Sequence, residues 1–219
     1  TSIAIRNLAT GQTRSFSIHK IAEAKKKTTQ VTSTDYDELE KKMLKQFYEF
    51  VRTHKESYWL HWNMRDINFG FPALAHRYEV LGSKPFLIND ERLFDLARIL
   101  VSWFGTGYSA HPRLTSLIEL NSITNLDFLS GAEEAAAFES GEYVKLHQST
   151  LRKVDVIANI FGRLEDGTLR TSATPNDIYG GHFPRFKLFI TTHWIVSFIG
   201  FFGAVAGLGA LFFSLFNDK

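Results

Sequence analysis

Between Lys187 and Asp218 the chain carries no formally charged side chain, with His193 taken as neutral. This leaves an uncharged stretch of 30 residues, Leu188 to Asn217. A bilayer core is crossed by roughly 20 apolar residues in a helix. Trp194 to Phe216 supplies 23, or about 34 Å at ~1.5 Å per residue. The competing reading is a buried core helix, but uncharged helices of this length are rare in the cores of small domains. The only other apolar run, Leu93 to Phe104, is short and interrupted by Asp95 and Arg98. The sequence therefore predicts one transmembrane segment over 188–217.

Arg185 and Lys187 precede that segment, and only Asp218 and Lys219 follow it. The bias of positive charge toward the cytoplasm predicts a cytoplasmic soluble domain at a bacterial inner membrane. Thr1 to Thr13 lacks an apolar h-region, so no secretory signal is expected, and insertion is expected to follow translation. Within the segment, Gly203 and Gly207 form a GxxxG pair, and Gly200 with Ala204 a second small pair. Such a face lets helices approach closely in lipid and predicts self-association. The competing explanation is that Gly is common in membrane helices generally.

The remainder has the composition of a folded domain. Apolar residues make up 44% of the chain, including 20 Phe, and 25 Lys+Arg nearly balance 23 Asp+Glu. This excludes wholesale disorder, and the net charge of +2 does not point to nucleic acid. The absence of Cys excludes disulfides, thiolate metal sites and a Cys nucleophile.

The expected fold is mainly α. Ile3 and Ile5, then Phe16 and Ile18, alternate with polar residues about Thr10-Gly11-Gln12, which predicts a hairpin within Thr1 to Lys20. A linker or short helix follows over Ile21 to Thr34. Tyr36, Leu39, Met43, Phe47, Phe50 and Val51 recur at helical spacing behind a Thr34 cap. Pro72 opens a short helix over Ala73 to Leu81, closed by Gly82. Asn89 and Asp90 are expected to cap a third helix carrying Leu93, Leu96, Leu100 and Phe104 on one face. Gly105 to Pro112 reads as a loop. Leu114 to Leu120 fits strand or helix. Ala132 to Phe138 is helical by propensity. Tyr143 to Leu164 is the longest amphipathic pattern, with Leu151, Val154, Ile157, Phe161 and Leu164 facing inward. The soluble domain is thus expected over 1–170 and a Pro/Gly linker over 171–187.

No Walker loop, GxGxxG, HExxH or GxSxG occurs. No catalytic site, metal or cofactor is expected. Arg14 and His19 have the Arg-x4-His spacing of HEPN-type ribonucleases, but that chemistry sits on a helix and both residues fall in a predicted strand. The densest unusual stretch is Tyr58-Trp59-Leu60-His61-Trp62-Asn63-Met64-Arg65-Asp66, followed by Asn68-Phe69-Gly70-Phe71. On a helix, Trp59 and Trp62 would share one face, and His61 and Arg65 another. These residue types suit base stacking with phosphate contact, or a protein hot spot. The competing reading is a core segment whose His and Arg are pinned by carboxylates. Trp59, His61, Trp62 and Arg65 are the candidate partner-binding residues. Lys25, Lys26 and Lys27 are candidates for phosphate or anionic lipid, against the plainer reading of a solvated charge run.

A small cytoplasmic domain joined to a Gly-rich terminal span resembles the membrane effectors of bacterial anti-phage abortive-infection systems. The stretch Trp59 to Phe71 and the span Trp194 to Phe216 are most similar to the effectors paired with retron reverse transcriptases. The resemblance is one of architecture over the whole chain. It implies that the soluble domain binds a reverse transcriptase with its DNA–RNA hybrid, and that release lets the span permeabilise the inner membrane. A membrane-tethered adaptor, and a tail-anchored nuclease or other hydrolase, are the alternatives.

Overall fold

Alternation of apolar and polar residues at the start of the chain produces a two-stranded antiparallel hairpin. β1 (Ser2–Arg6) pairs with β2 (Thr13–Ser17), with Ile3 opposite Phe16 and Ile5 opposite Arg14. Asn7 closes the turn: its Oδ1 accepts the Ala9 and Thr10 N–H groups, and Gly11 takes φ +71°. The computed structural model describes residues 2–24, 33–174 and 177. The predicted span 188–217 with Gly200, Gly203 and Gly207, most of the 171–187 linker, and Lys25, Lys26 and Lys27 lie outside the described residues. Among the described residues no helix is long and apolar enough to cross a membrane.

The chain divides into two compact units, residues 1–100 with 110–171, and 101–109 with 172–219. In the first, β2 runs straight into α1 (Ile18–Ala24), where a linker or short helix was predicted only from residue 21. α2 (Ser33–Thr53) follows the predicted stripe: Leu39, Met43, Phe47 and Val51 are at most 2% exposed, and Leu44, which the stripe did not include, is buried with them. They pack with Phe16, Ile18, Ile21 and Tyr78 as one apolar cluster. Then come β3 (Trp59–His61) and α3 (Phe71–Val80), with Pro72 in its first turn. Arg77 of α3 clamps α2, pairing with Asp37 and, at 2.6 Å, with the buried Glu40.

The predicted third helix begins later than its periodicity suggests. Asn89 caps a single 3₁₀ turn, and Leu93–Asp95 then forms β4, parallel to β3 in the register Trp59–Leu93, Leu60–Phe94, His61–Asp95. Only afterwards does α4 (Leu96–Phe104) start, with the Asp95 carboxylate accepting the Ala97 N–H as its cap. Strand pairing thus overrides the helical spacing of Leu93.

The ambiguous segment at 114–120 is helical, α5 (Arg113–Leu120). α6 (Gly131–Glu139) opens with a Ser130/Glu133 capping box, a signal readable in the sequence. α7 (Tyr143–Glu165) ends one residue beyond the predicted Leu164, with Asp166 as its C-cap. Its fully buried face is His147, Ser149, Val156, Ile160 and Leu164; the predicted Leu151, Val154, Ile157 and Phe161 are half-buried. Asn121 pins the chain after α7, donating to the Arg170 carbonyl and accepting the Arg170 N–H. In the second unit, the Ser172 N–H donates to the Tyr108 carbonyl at 2.8 Å. There Gly105, at φ +77°, lies against Asp177, where a Cβ would come within 2.9 Å of the Asp177 carbonyl.

Candidate functional site

The stretch from Tyr58 to Phe71, for which the sequence left the secondary structure open, is a strand followed by a pinned turn. Its aromatics fit a pleated, half-buried ribbon, and β4 supplies the pairing partner. After His61 the chain reverses at Asn63, which takes φ +51°, a conformation Asn tolerates better than most residues. A loop then runs from Met64 to Phe71. It is closed by Phe71 N–H donating to the Met64 carbonyl at 3.1 Å and by an antiparallel bridge between Arg65 and Gly70. Inside it, Asp66 accepts the Asn68 N–H at 2.7 Å and the Phe69 N–H reaches the Asp66 carbonyl. Gly70 sits at φ +120°, and a Cβ there would meet the Met64 carbonyl oxygen at 2.3 Å. The close approach of backbone to backbone requires glycine.

The four predicted residues fall on this one segment, but in different roles. His61 is 3% exposed; its Nδ1 accepts the Met64 N–H at 3.3 Å, which places the ring proton on Nε2. Burial lowers its pKa; the Asp95 carboxylate opposes this, while Arg65 and Arg98 add to it, so the ring is neutral near pH 7. Asp95 lies opposite His61 in the register and is 4% exposed. Its Oδ1 accepts the Asn63 and Ala97 N–H groups, and its Oδ2 stands 3.8 Å from the Arg98 guanidinium. Arg65 donates to the Leu93 carbonyl at 2.8 Å, tying the loop to β4. Trp59 is half-buried, edge-on to Phe50 at 6.3 Å, and Trp62 is half-buried as well. The indole N–H of Trp59 and the Nε2 of His61 are enclosed, with no hydrogen-bond partner among the described residues. His61 is thus buried, whereas Arg65 is exposed and ties the loop to β4.

The large apolar side chains that face solvent are other than the four candidate partner-binding residues. Ile67 and Phe69, at the loop tip, are 76% and 66% exposed. Tyr58 is 73% exposed and packs edge-on against Phe94 at 5.7 Å, with the Arg92 guanidinium 5.2 Å above its ring. Arg92 is itself paired with Glu56 at 2.6 Å, so the aromatic ridge carries little net charge. Asn68-Phe69-Gly70 is a turn signal legible in the sequence; Phe94 and Asp95 were hidden by the helical reading of Leu93 to Phe104. Beside the ridge opens a cleft of about 2120 Å³, lined among others by Trp59, His61, Trp62, Phe71, Val154 and Phe161.

This arrangement suits binding better than acid–base chemistry. His61 has one ring nitrogen occupied and the other enclosed, and Asp95 spends one oxygen on two backbone donors. Among the described residues no three or more His, Asp or Glu side chains are placed to share a metal ion. Arg14 and His19 are not on one helix: Arg14 is on β2, its guanidinium 5.3 Å from the Phe50 ring, and His19 is on α1. The HEPN geometry is therefore not formed. No family model, no curated protein and no solved structure matches the chain.

Proposed function

We propose that this chain is a membrane-anchored effector of the retron-associated anti-phage type, restrained by a cytosolic partner that docks on the loop Met64–Phe71 and the ridge beside it. The docking half of the reading is carried by one observation. A loop locked by Gly70 and Arg65 holds Ile67 and Phe69 out in water, at 76% and 66% exposure. Rigid apolar anchors of this kind lose little entropy on association. The partner is a protein surface, in keeping with a reverse transcriptase carrying its DNA–RNA hybrid; the near-neutral ridge supports protein contact over phosphate contact. The membrane half rests on the uncharged stretch Leu188 to Asn217 and its Gly200, Gly203 and Gly207 face, through which copies associate and permeabilise the inner membrane. No bond-making step is assigned to the chain.

The test is a set of full-length variants expressed in cells. Wild type expressed alone should admit a membrane-impermeant dye, and co-expression with the cognate reverse transcriptase should suppress this. Ile67→Ser with Phe69→Ser should escape suppression while melting as wild type does, because both side chains are already in water. Replacing Gly203 and Gly207 with Leu should keep the protein in the membrane fraction and stop dye entry, and removing 194–219 should move it to the soluble fraction. Wild type that never admits dye would replace the effector with a membrane-tethered adaptor. A truncated protein that still floats with lipid would discard the anchor.

A further inference from the structure

β1, α1 and α7 meet around two histidines, away from the docking loop. His147 of α7 is 5% exposed. The Ser2 hydroxyl lies 2.7 Å from its Nδ1, and its ring packs edge-on to His19, with centroids 4.8 Å apart. Its Nε2 is enclosed and has no hydrogen-bond partner among the described residues. Farther along the same seam, Arg6 of β1 pairs with Asp155 of α7 at 2.6 Å. Residues 147 and 155 are about two helical turns apart, and Ser2 and Arg6 four residues apart on a strand, so the two ties lie on matching faces. The seam therefore has one tie through an imidazole and one through a guanidinium–carboxylate pair.

This seam bridges two separate apolar groups. The cluster of β2, α1, α2 and α3 contains no buried residue of α5, α6 or α7. Those helices bury their own set, including Leu117, Ile118, Ala137, Val156 and Ile160. β1 packs on α7 between them, and the cleft reaches the Ile3 and Ile5 side chains on β1 and Val154 and Ile157 on α7.

We infer that the His19–His147 pair makes the β1–α7 seam a proton-operated latch, closed while both rings are neutral and released when His147 takes up a proton. The groups facing His147 oppose a charge there. α1 brings His19 and Lys20, while Glu23 acts on His19; β1 brings the Ser2 hydroxyl and Arg6, the latter already neutralised by Asp155. On α7 itself, Lys145 is paired with Glu142. Burial, aided by Lys20 and His19, pulls His147 from 6.5 to about 4. His19 is lowered by burial too, with Glu23 opposing and Lys20 adding.

The sign follows from proton counting. Above pH 6.5 the ring is neutral in both the closed and the open seam, and pH has no effect. Below 6.5 the open seam binds the proton that the closed seam refuses, so closure weakens until about pH 4 and then levels off. Between pH 8 and pH 5 the open-to-closed ratio rises about thirtyfold.

The chain has no Cys, so two can be introduced cleanly for spin labels. Leu8→Cys beyond β1 and Asn159→Cys on α7 are both at exposed positions. In the full chain in detergent micelles, pulsed electron spin resonance should show one short distance at pH 8 and a growing longer population at pH 5. His147→Gln should keep the short distance at both, and His147→Arg, a permanent cation, should show the long one already at pH 8. Should the Gln variant not fold, His19→Gln replaces it: relieved of its neighbour, His147 should give a smaller change than wild type. An unchanged distance in wild type down to pH 4.5, a Gln variant that opens as wild type does, or a His19→Gln change as large as wild type would each overturn the latch.

Discussion

Gly70→Ala should break the loop Met64–Phe71, and its cost can be worked from the backbone. At φ +120° and ψ −153° the residue lies in a region that is essentially glycine's alone. An L side chain there costs about 1–3 kcal/mol before any contact is considered. The added Cβ would also stand 2.3 Å from the Met64 oxygen and 2.4 Å from its carbonyl carbon. Both are backbone atoms, so no rotamer change relieves the overlap. The loop must open, losing the Phe71 to Met64 hydrogen bond and the Arg65–Gly70 bridge, about 1 kcal/mol each at most. The sum is about 3 kcal/mol, or roughly 6–12 °C in Tm for a unit of this size. Gly82→Ala is the control: φ is +73°, but the nearest neighbour is a flexible Lys41 ammonium at 3.8 Å. It should cost only about 1 kcal/mol. Circular-dichroism melting of the purified chain measures both, and hydrogen exchange over 64–71 should rise only in the Gly70 variant. A Gly70→Ala Tm within a degree of wild type would refute the pinned loop.

Two further outcomes test the framework around the site. Arg77→Leu removes the Arg77 guanidinium from Glu40, whose side chain is 6% exposed, and should cost about 3 kcal/mol in urea unfolding, with much of the loss restored by adding Glu40→Gln. Ser130→Ala removes the cap of α6 and should cost about 1 kcal/mol; an unchanged urea midpoint would show that the α6 start is held by something other than its cap.

The sequence by itself determined the elements whose signal is local. The α2 stripe from Leu39 to Val51, the extent of α7, the hairpin about Gly11, and Pro72 with Gly82 at the two ends of α3 all follow from periodicity or turn chemistry within one segment. The crowding of Trp59, His61, Trp62 and Arg65 was legible for the same reason. The tertiary structure alone decided the pairings across distance. Trp59–His61 became a strand because Leu93–Asp95, more than 30 residues on, lies beside it, and no local pattern encodes a parallel partner. That pairing turned His61 inward against Asp95 and left Ile67 and Phe69 outside. The face of α7 was decided in the same way. Val154, Ile157 and Phe161 share a stripe that periodicity assigns to a core, yet they line a cleft, because β1 and α6 pack on α7 instead. Likewise His147 reads as an ordinary polar residue on α7 until Ser2 and His19, brought from 145 and 128 positions away in sequence (147 − 2 and 147 − 19), close around it. A sequence fixes which faces are apolar; which neighbour covers each face is settled only when the chain closes its long loops, and burial then sets the charge state of the groups caught between them.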